Sequence, residues 1–566
     1  MSPQKEPERG DRSSKFPSKD QFLFLPRLFT PGERRAFATA VIIAILALIA
    51  IPVSAYYHAT KPIADYGGTW TEALVGAPLH INPLLVQGND TDSDLANLIY
   101  SGLLRHDGSG NLIGDLAESY AISDDGLQYT FTLRENLKWH DGKEISADDV
   151  AFTILTAQNG EYGSVHRSAW QGVDVVKKDS RVITFKLKNK YAQFLQNATI
   201  GILPKNIWES VRPANFGLFE KNLKPIGSGP YVFSKLNRTK DGTIESYELV
   251  AFDGYALGKP FIKKIVFKFY DCESDAECAQ SAVGAYNNGD ADGIASISPR
   301  NIKLLRLKGQ LMMLPIKIPR YFAVFFNQAQ SKALADKSVR TALNYATDKK
   351  TLLENALESR GTAVDSPVLP GILPIANPKE TYEFNLDKAK GVLEKVPPSL
   401  ELTASMNVPE LAKIAELLKS QWETAGARVT IKSLSVADIH KAIKDRSYDA
   451  LLFGEGFFVD PDPFDFWHSS QKKDPGKNIA LYENKEADRL LEEARQTIDR
   501  TSRYSLYDKF QNIIIKDAPA VFLYSPEYTY VQPKKILGNN TTLISSPSNR
   551  FDTVHQWYID TKRGKR

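Results

Sequence analysis

Cysteine is nearly missing from this chain. Cys272 and Cys278 are its only two in 566 residues, and both fall in the run Asp271-Cys-Glu-Ser-Asp-Ala-Glu-Cys278. So low a count excludes a four-thiolate zinc site and a disulfide framework. A single small-loop disulfide in an exported chain and a pair of free thiols in an acidic surface loop are both compatible with the spacing. Histidine is scarce as well: eight dispersed residues, with no HxH or HExxH arrangement. The helical zinc pairings are therefore absent, and no metal and no cofactor is implied. His140-Asp141 lacks the partners a metal pair would need, and His106 and His166 are isolated.

Net charge is also small. The formal value is +4, and residues 1–35 carry eight Lys/Arg against five Asp/Glu, so about +1 is left for the rest. No basic stripe or recognition motif marks a nucleic-acid binder. Gly227-Ser-Gly229 is not a phosphate loop, because Pro230 follows where a Lys-Ser/Thr pair and a helix are required. Asp124/Asp125 and Asp148/Asp149 have turn and cap roles that already account for them. No nucleophile–base set can be argued from spacing, so an enzyme has no positive support.

Long apolar runs are rare too. The clearest extends from Ala36 to Ile51, broken only by Thr39, and Pro52 to Tyr57 prolongs it. That length suits a bilayer span. Lys15, Lys19, Arg27, Arg34 and Arg35 precede it, which puts the N-terminus in the cytoplasm and the globular part outside. An uncleaved anchor is favoured over a signal peptide cut after Val53-Ser-Ala55. No cysteine follows the run, which excludes a lipoprotein anchor. Residues 1–35 read as a disordered cytoplasmic tail and 36–57 as the transmembrane helix.

The remainder exceeds what one hydrophobic core holds, so two or three lobes are expected. Strand and helix patterns alternate without a repeat, which indicates a mixed α/β architecture. Leu127, Tyr129, Phe131 and Leu133 alternate with polar residues, as do Ile183, Phe185 and Leu187, both patterns of half-buried strands. Ser146-Ala-Asp-Asp149 has the form of a capping box opening a helix with Val150, Ile154 and Leu155 on one face. Phe261–Tyr270 and Tyr321–Asn327 are β-prone. Leu411, Ile414, Leu418 and Trp422 form a helical stripe stopping near Gly426, Val429–Ile431 a strand, and Asp488–Arg500 an exposed charged helix.

An ordered set of blocks carries a more specific message. Asn97-Leu-Ile-Tyr-Ser-Gly-Leu-Leu104, Gly114-Asp-Leu-Ala-Glu-Ser-Tyr120, Ser123-Asp-Asp-Gly126, Trp139-His-Asp-Gly142 and Ser146-Ala-Asp-Asp-Val150 come first. Gly227-Ser-Gly-Pro-Tyr231, Asn287-Asn-Gly-Asp-Ala-Asp292, Phe325-Phe-Asn327, Val339-Arg-Thr-Ala-Leu343, Tyr448-Asp-Ala450 through Asp460-Pro461, and Asp517-Ala-Pro519 follow. In order and spacing the chain resembles the family 5 bacterial extracytoplasmic solute-binding proteins, the oligopeptide-, dipeptide- and nickel-binding receptors of ABC importers.

The resemblance implies a periplasmic-binding-protein-like type II clamp. Its lobe I would be discontinuous (62–110, 225–317 and 525–566), with an extra domain at 111–224 and lobe II at 318–524. A peptide or peptide-like solute would be enclosed by hinge closure and passed to permease subunits, the receptor acting as a monomer. Peptide-binding members use an aspartate shortly before the Asp-Pro pair to receive the ligand's α-amino group. Here that slot falls on Phe457 or Phe458, with Glu455 or Asp460 as shifted substitutes; the bland reading of Asp460-Pro-Asp-Pro463 is a rigid turn. His80 and Asn82, in the loop after the first strand, and Tyr321, Phe325 and Asn327, on a strand beside the hinge, complete the candidate set. The departure at Phe457/Phe458 keeps a non-peptide solute (metal chelate, oligosaccharide or opine-like compound) in view, together with a non-transport sensory or docking clamp.

Overall fold

A computed structural model of the chain describes residues 29–86, 88–270, 275–297, 299–306, 308–395 and 397–565. Most of the expected cytoplasmic tail, Cys272 and the side chain of Cys278 lie outside what is described, and the question of cysteine pairing with them.

Two compact units are distinguished, one of residues 1–65 with 561–566 and one of 66–560. The first contains the helix Pro31–Ala59, which starts where the Thr30 backbone N–H donates to Glu33 Oε2 at 2.8 Å. It contains no buried residue, and an 18-residue window reaches a mean hydropathy of 2.8. Length and composition suffice to cross a bilayer. Strand Thr60–Ala64 follows and pairs antiparallel with Thr561–Lys565.

The second unit is built on two large sheets and a smaller one. A seven-stranded sheet runs, in spatial order, Leu311–Lys317, Glu527–Pro533, Gly293–Ser296, Gly67–Val75, Ile262–Tyr270, Ile244–Ala251 and Tyr231–Arg238. Gly67–Val75 is parallel to both its neighbours and the other pairs are antiparallel. A six-stranded sheet runs Thr362–Ala363, Ala520–Ser525, Arg320–Phe326, Ala450–Gly456, Ser399–Ser405 and Arg428–Leu434. The chain passes between these sheets at Ile318-Pro319 and again at Pro526. Two short, adjacent crossings suit a hinge, because few dihedrals have to change to move one sheet against the other. A four-stranded antiparallel sheet (Ala117–Ile122, Gln128–Leu133, Val182–Lys186, Asp174–Lys177) forms the extra body.

The alternating runs form strands with Tyr129, Phe131, Leu133, Ile183 and Phe185 buried. The turn before them uses Gly126 at φ +68°, with Asp125 Oδ1 accepting from the Leu127 N–H at 3.0 Å. Ser146 and Asp149 form the capping box of helix Ala147–Gln158. Leu155 departs from expectation at 54% exposure; the buried positions are Ala147, Asp149, Val150, Thr153, Ile154, Thr156 and Ala157. Five residues after Val150, Leu155 is rotated about 140° off that face at 3.6 residues per turn.

Asp488–Arg500 also differs from a single exposed helix. Lys485–Gln496 buries Ala487, Leu490, Leu491 and Ala494, and a new helix, Arg500–Asp517, starts at the cap Asp499, whose Oδ1 accepts from the Ser502 N–H at 2.8 Å. His140 stands in the turn closed by the Gly142 N–H on Trp139 O (2.9 Å), but its ring is held inward. Its Nδ1 accepts from the Gly227 N–H (3.2 Å) and its Nε2 hydrogen-bonds Gly229 O (3.1 Å); burial pushes its pKa down to about 4. Gly227 and Gly229 are required sterically. A Cβ at either would meet the Ile99 backbone at 2.0–2.6 Å, so this turn seats the end of helix Asp90–Ile99.

Candidate functional site

Within the second unit, parts of both large sheets' lobes and of the extra body line an open cavity of about 840 Å³. Pro83, Asn97 and Arg105 line it from the first lobe, His166 and Gln196 from the extra body, and Phe458 and Arg495 from the second lobe. Contacts near it tie the bodies together. Gln193 Nε2 donates to Pro461 O (3.0 Å) and to Tyr507 Oη (2.9 Å), and the Ala192 N–H donates to Arg495 O (2.8 Å). The Val459 N–H donates to Ser545 Oγ at 3.1 Å.

A buried polar network forms one wall. Arg105 Nη1 lies 3.6 Å from Asp115 Oδ2 and hydrogen-bonds Tyr255 Oη, while Nη2 lies 3.9 Å from Asp552 Oδ1. Asn97 Nδ2 donates to that same Oδ1 and to Ser548 O, each at 2.8 Å. His106 places Nδ1 3.7 Å from Asp552 Oδ2 and Nε2 3.0 Å from Gln196 Oε1. Burial raises Asp115 to about 6 against the pull of Arg105. For His106, burial disfavours the cation, but Asp552 and Gln196 outweigh it and hold its pKa above the usual value. Fixed donors and acceptors of this kind orient a polar ligand, and desolvation strengthens each of them.

The opposite wall is set by Arg495, near the end of helix Lys485–Gln496. Its Nε bonds Asp462 Oδ2 at 2.7 Å and Nη2 bonds Asp465 Oδ1 at 2.8 Å. The guanidinium lies 3.9 Å from the Phe464 ring centroid and 5.4 Å from that of Tyr191. Such a stacked, forked site needs arginine's planar head. Lys477 Nζ stands 3.9 Å from Asp465 Oδ2.

Of the residues named from sequence, Phe458 lines the cavity and is 49% exposed. Asn82 is buried: its Oδ1 accepts from the Leu84 N–H (3.0 Å) and its Nδ2 donates to Asn222 Oδ1 (3.1 Å), shaping the loop that presents Pro83. The His80 N–H is held by Asp92 Oδ1 at 3.0 Å, outside the lining. Tyr321 and Phe325 are buried in the second lobe's core. Asn327 is also buried, donating to Arg446 O and accepting from the Ala329 and Gln330 N–H groups.

Glu455 pairs across strands with Tyr321, whose hydroxyl donates to Glu455 Oε2. Burial holds this carboxyl well above the usual range, opposed by the Tyr321 bond. Phe457 stacks on Tyr321 with centroids 5.8 Å apart. Asp460 is buried against Arg503, Nη2 to Oδ2 2.6 Å. The acids of Asp460-Pro-Asp-Pro463 are thus bound by arginines, Asp460 by Arg503 and Asp462 by Arg495.

Arg105, Asp115, Arg495 and Asp552 were not singled out by sequence reasoning. Asp115 lay within a recognised block and His106 was set aside as isolated. No linear signal joins them to Asp552, which meets Asn97 across 455 residues.

The sequence model described as "Bacterial extracellular solute-binding proteins, family 5 Middle" matches residues 111–505. The oligopeptide-binding protein AppA of Bacillus subtilis (strain 168) is 28% identical over 532 residues, covering 89% of this chain and 94% of that protein. The structure of AppA from Bacillus subtilis in complex with a nonapeptide superposes with a TM-score of 0.70 at 27% identity, covering 88% of this chain and all of that one. NikZ from Campylobacter jejuni, in complex with Ni(L-His), gives a TM-score of 0.71 at 27% identity, covering 87% and 99%.

Proposed function

The chain belongs to the bacterial extracellular solute-binding proteins of family 5, and on that premise we propose that it is a membrane-anchored receptor that captures a peptide or peptide-like solute for an ABC importer. One observation carries the reading: an open cavity of about 840 Å³ lined by parts of both lobes and the extra body. That volume is typical of small-ligand sites. The similarity to AppA, solved with a nonapeptide, supports a peptide as the solute class. We keep the division into lobe I at 62–110, 225–317 and 525–566, the extra domain at 111–224, and lobe II at 318–524; the seven-, four- and six-stranded sheets support it, while Thr60–Ala64 and Thr561–Lys565 pair with each other in a separate sheet. The ligand contacts we assign are Phe458 and Arg495 on one wall and the Arg105–His106–Asp552 network on the other. In this reading the Pro31–Ala59 helix, long and apolar enough to cross a bilayer, is an uncleaved single-pass anchor, with the N-terminus cytoplasmic by the charge of its flank.

Native mass spectrometry of the full chain, extracted gently in detergent, tests the ligand. Bound masses differing by amino-acid residues are expected. A single discrete non-peptide mass selects the second reading, a chelate or opine-like solute. That reading draws on the cavity-lining Phe458 and on the pairing of Asp460 and Asp462 with arginines, which takes up the carboxylates of this segment.

A further inference from the structure

The apolar helix Pro31–Ala59 is joined at its outer end by a segment from the far end of the chain. Thr60–Ala64 pairs with Thr561–Lys565 in the register Thr60↔Lys565, Pro62↔Arg563, Ala64↔Thr561. Arg563 then reaches across this ribbon. Its Nε donates to Thr60 Oγ1 (2.9 Å), and its Nη2 donates to Tyr57 O (3.0 Å) and Thr60 O (2.9 Å). The guanidinium lies 4.2 Å from the Tyr57 ring centroid. A helix leaves its last carbonyls unpaired and carries partial negative charge there. Arg563 answers both and locks the ribbon to the helix end.

The ribbon is strongly cationic. Residues 60–65 and 561–565 hold Lys61, Lys562, Arg563 and Lys565 against one carboxylate, Asp65, which Lys562 meets at 2.9 Å. Lys61, Lys562 and Lys565 are exposed. Directly before them stand Tyr56 and Tyr57, both exposed at the end of an apolar helix with no buried residue. Aromatic rings of this kind settle at headgroup level, so the three lysines follow at the depth of the lipid phosphates.

We propose that this ribbon is a collar for anionic phospholipid headgroups, with Lys61, Lys562 and Lys565 binding the phosphates and Arg563 fixing them in place. The proposal rests on the membrane-anchor reading. Each cation near an anionic surface strengthens binding about fivefold.

The test places the full chain in nanodiscs of phosphatidylcholine, with or without phosphatidylglycerol, and follows lysine acetylation by a neutral amine-reactive ester. Lys350, exposed in the globular unit, is the internal reference. At least about fivefold slower acetylation of the three lysines is expected with phosphatidylglycerol, Lys350 being unchanged. Arg563→Gln is expected to abolish that protection while the chain stays embedded. Equal rates in both lipids, in a chain that resists alkaline carbonate extraction, overturn the collar alone and point to a protein surface as its partner. Release by carbonate overturns the anchor reading and the collar with it.

Discussion

Arg503 and Asp460 form a buried ion pair, Nη2 to Oδ2 2.6 Å, behind the wall of the cavity rather than in it. The same guanidinium donates to Thr497 O and Ile498 O, at 2.7 and 3.0 Å. It therefore ties the Asp460-Pro461 turn to the break between two helices.

Arg503→Met leaves Asp460 buried without its main partner. Unfolding free energy should fall by about 3–5 kcal/mol, read by chemical denaturation. Ligand affinity of the folded fraction should stay within about twofold. Loss of ligand with undiminished stability would instead make Asp460 a ligand contact.

Arg495→Gln removes a charge held by Asp462 and Asp465 at the cavity wall. Retention of the co-purified ligand should fall about tenfold or more, as at other stacked arginine anchors. Titration calorimetry after ligand exchange reads this directly, and an unchanged affinity would move the ligand away from this wall.

Phe458→Asp puts a carboxylate into the half-exposed member of the pair Phe457 and Phe458, on one of which the family resemblance places the amine acceptor of peptide-binding receptors. A charge-assisted bond contributes about 1.5–3 kcal/mol. Peptides with a free α-amino group should gain about tenfold or more over their N-acetylated forms. Equal gains for both would show that the ligand's terminus lies elsewhere.

His106 makes stability depend on pH. Its folded pKa is raised by Asp552 and Gln196, so the contribution is complete below the unfolded value of about 6.5. It is lost as pH rises through the folded value. His555 acts oppositely: burial, then Arg105, lower it to about 4, so its contribution holds above about 6.5 and is lost as pH falls toward 4. The stability gap between the wild type and His106→Gln should be full below about pH 6.5 and narrow as pH rises through the folded pKa of His106. A gap independent of pH would assign His106 a packing role only.

Much of the fold was legible because local patterns coincide with what the tertiary structure buries. Ile414, Leu418 and Trp422 share a helix face and are all buried. Leu155 was misplaced because three apolar neighbours were assigned one face without regard to the rotation per residue. The inward grip of His140 was not legible because the glycines it holds come almost ninety residues later.

The site was legible only in part. Of the segment Gly454–Pro463, singled out from sequence as informative for the ligand, Phe458 lines the cavity, and which of its residues faces the void depends on strand register. Tyr321 opposite Glu455 turns that acid inward, and Phe458, beyond the strand's end, is left to line the cavity.

The sequence alone determined the family, the apolar helix, the mixed α/β class and the strands and helices, because each rests on periodicity, run length or ordered motifs. Only the tertiary structure decided which charges face the cavity, which are spent on one another, and that Arg563 closes the helix ending at Ala59. Those pairings join residues hundreds of positions apart, and a charge's role is set by the partner and burial that folding assigns to it.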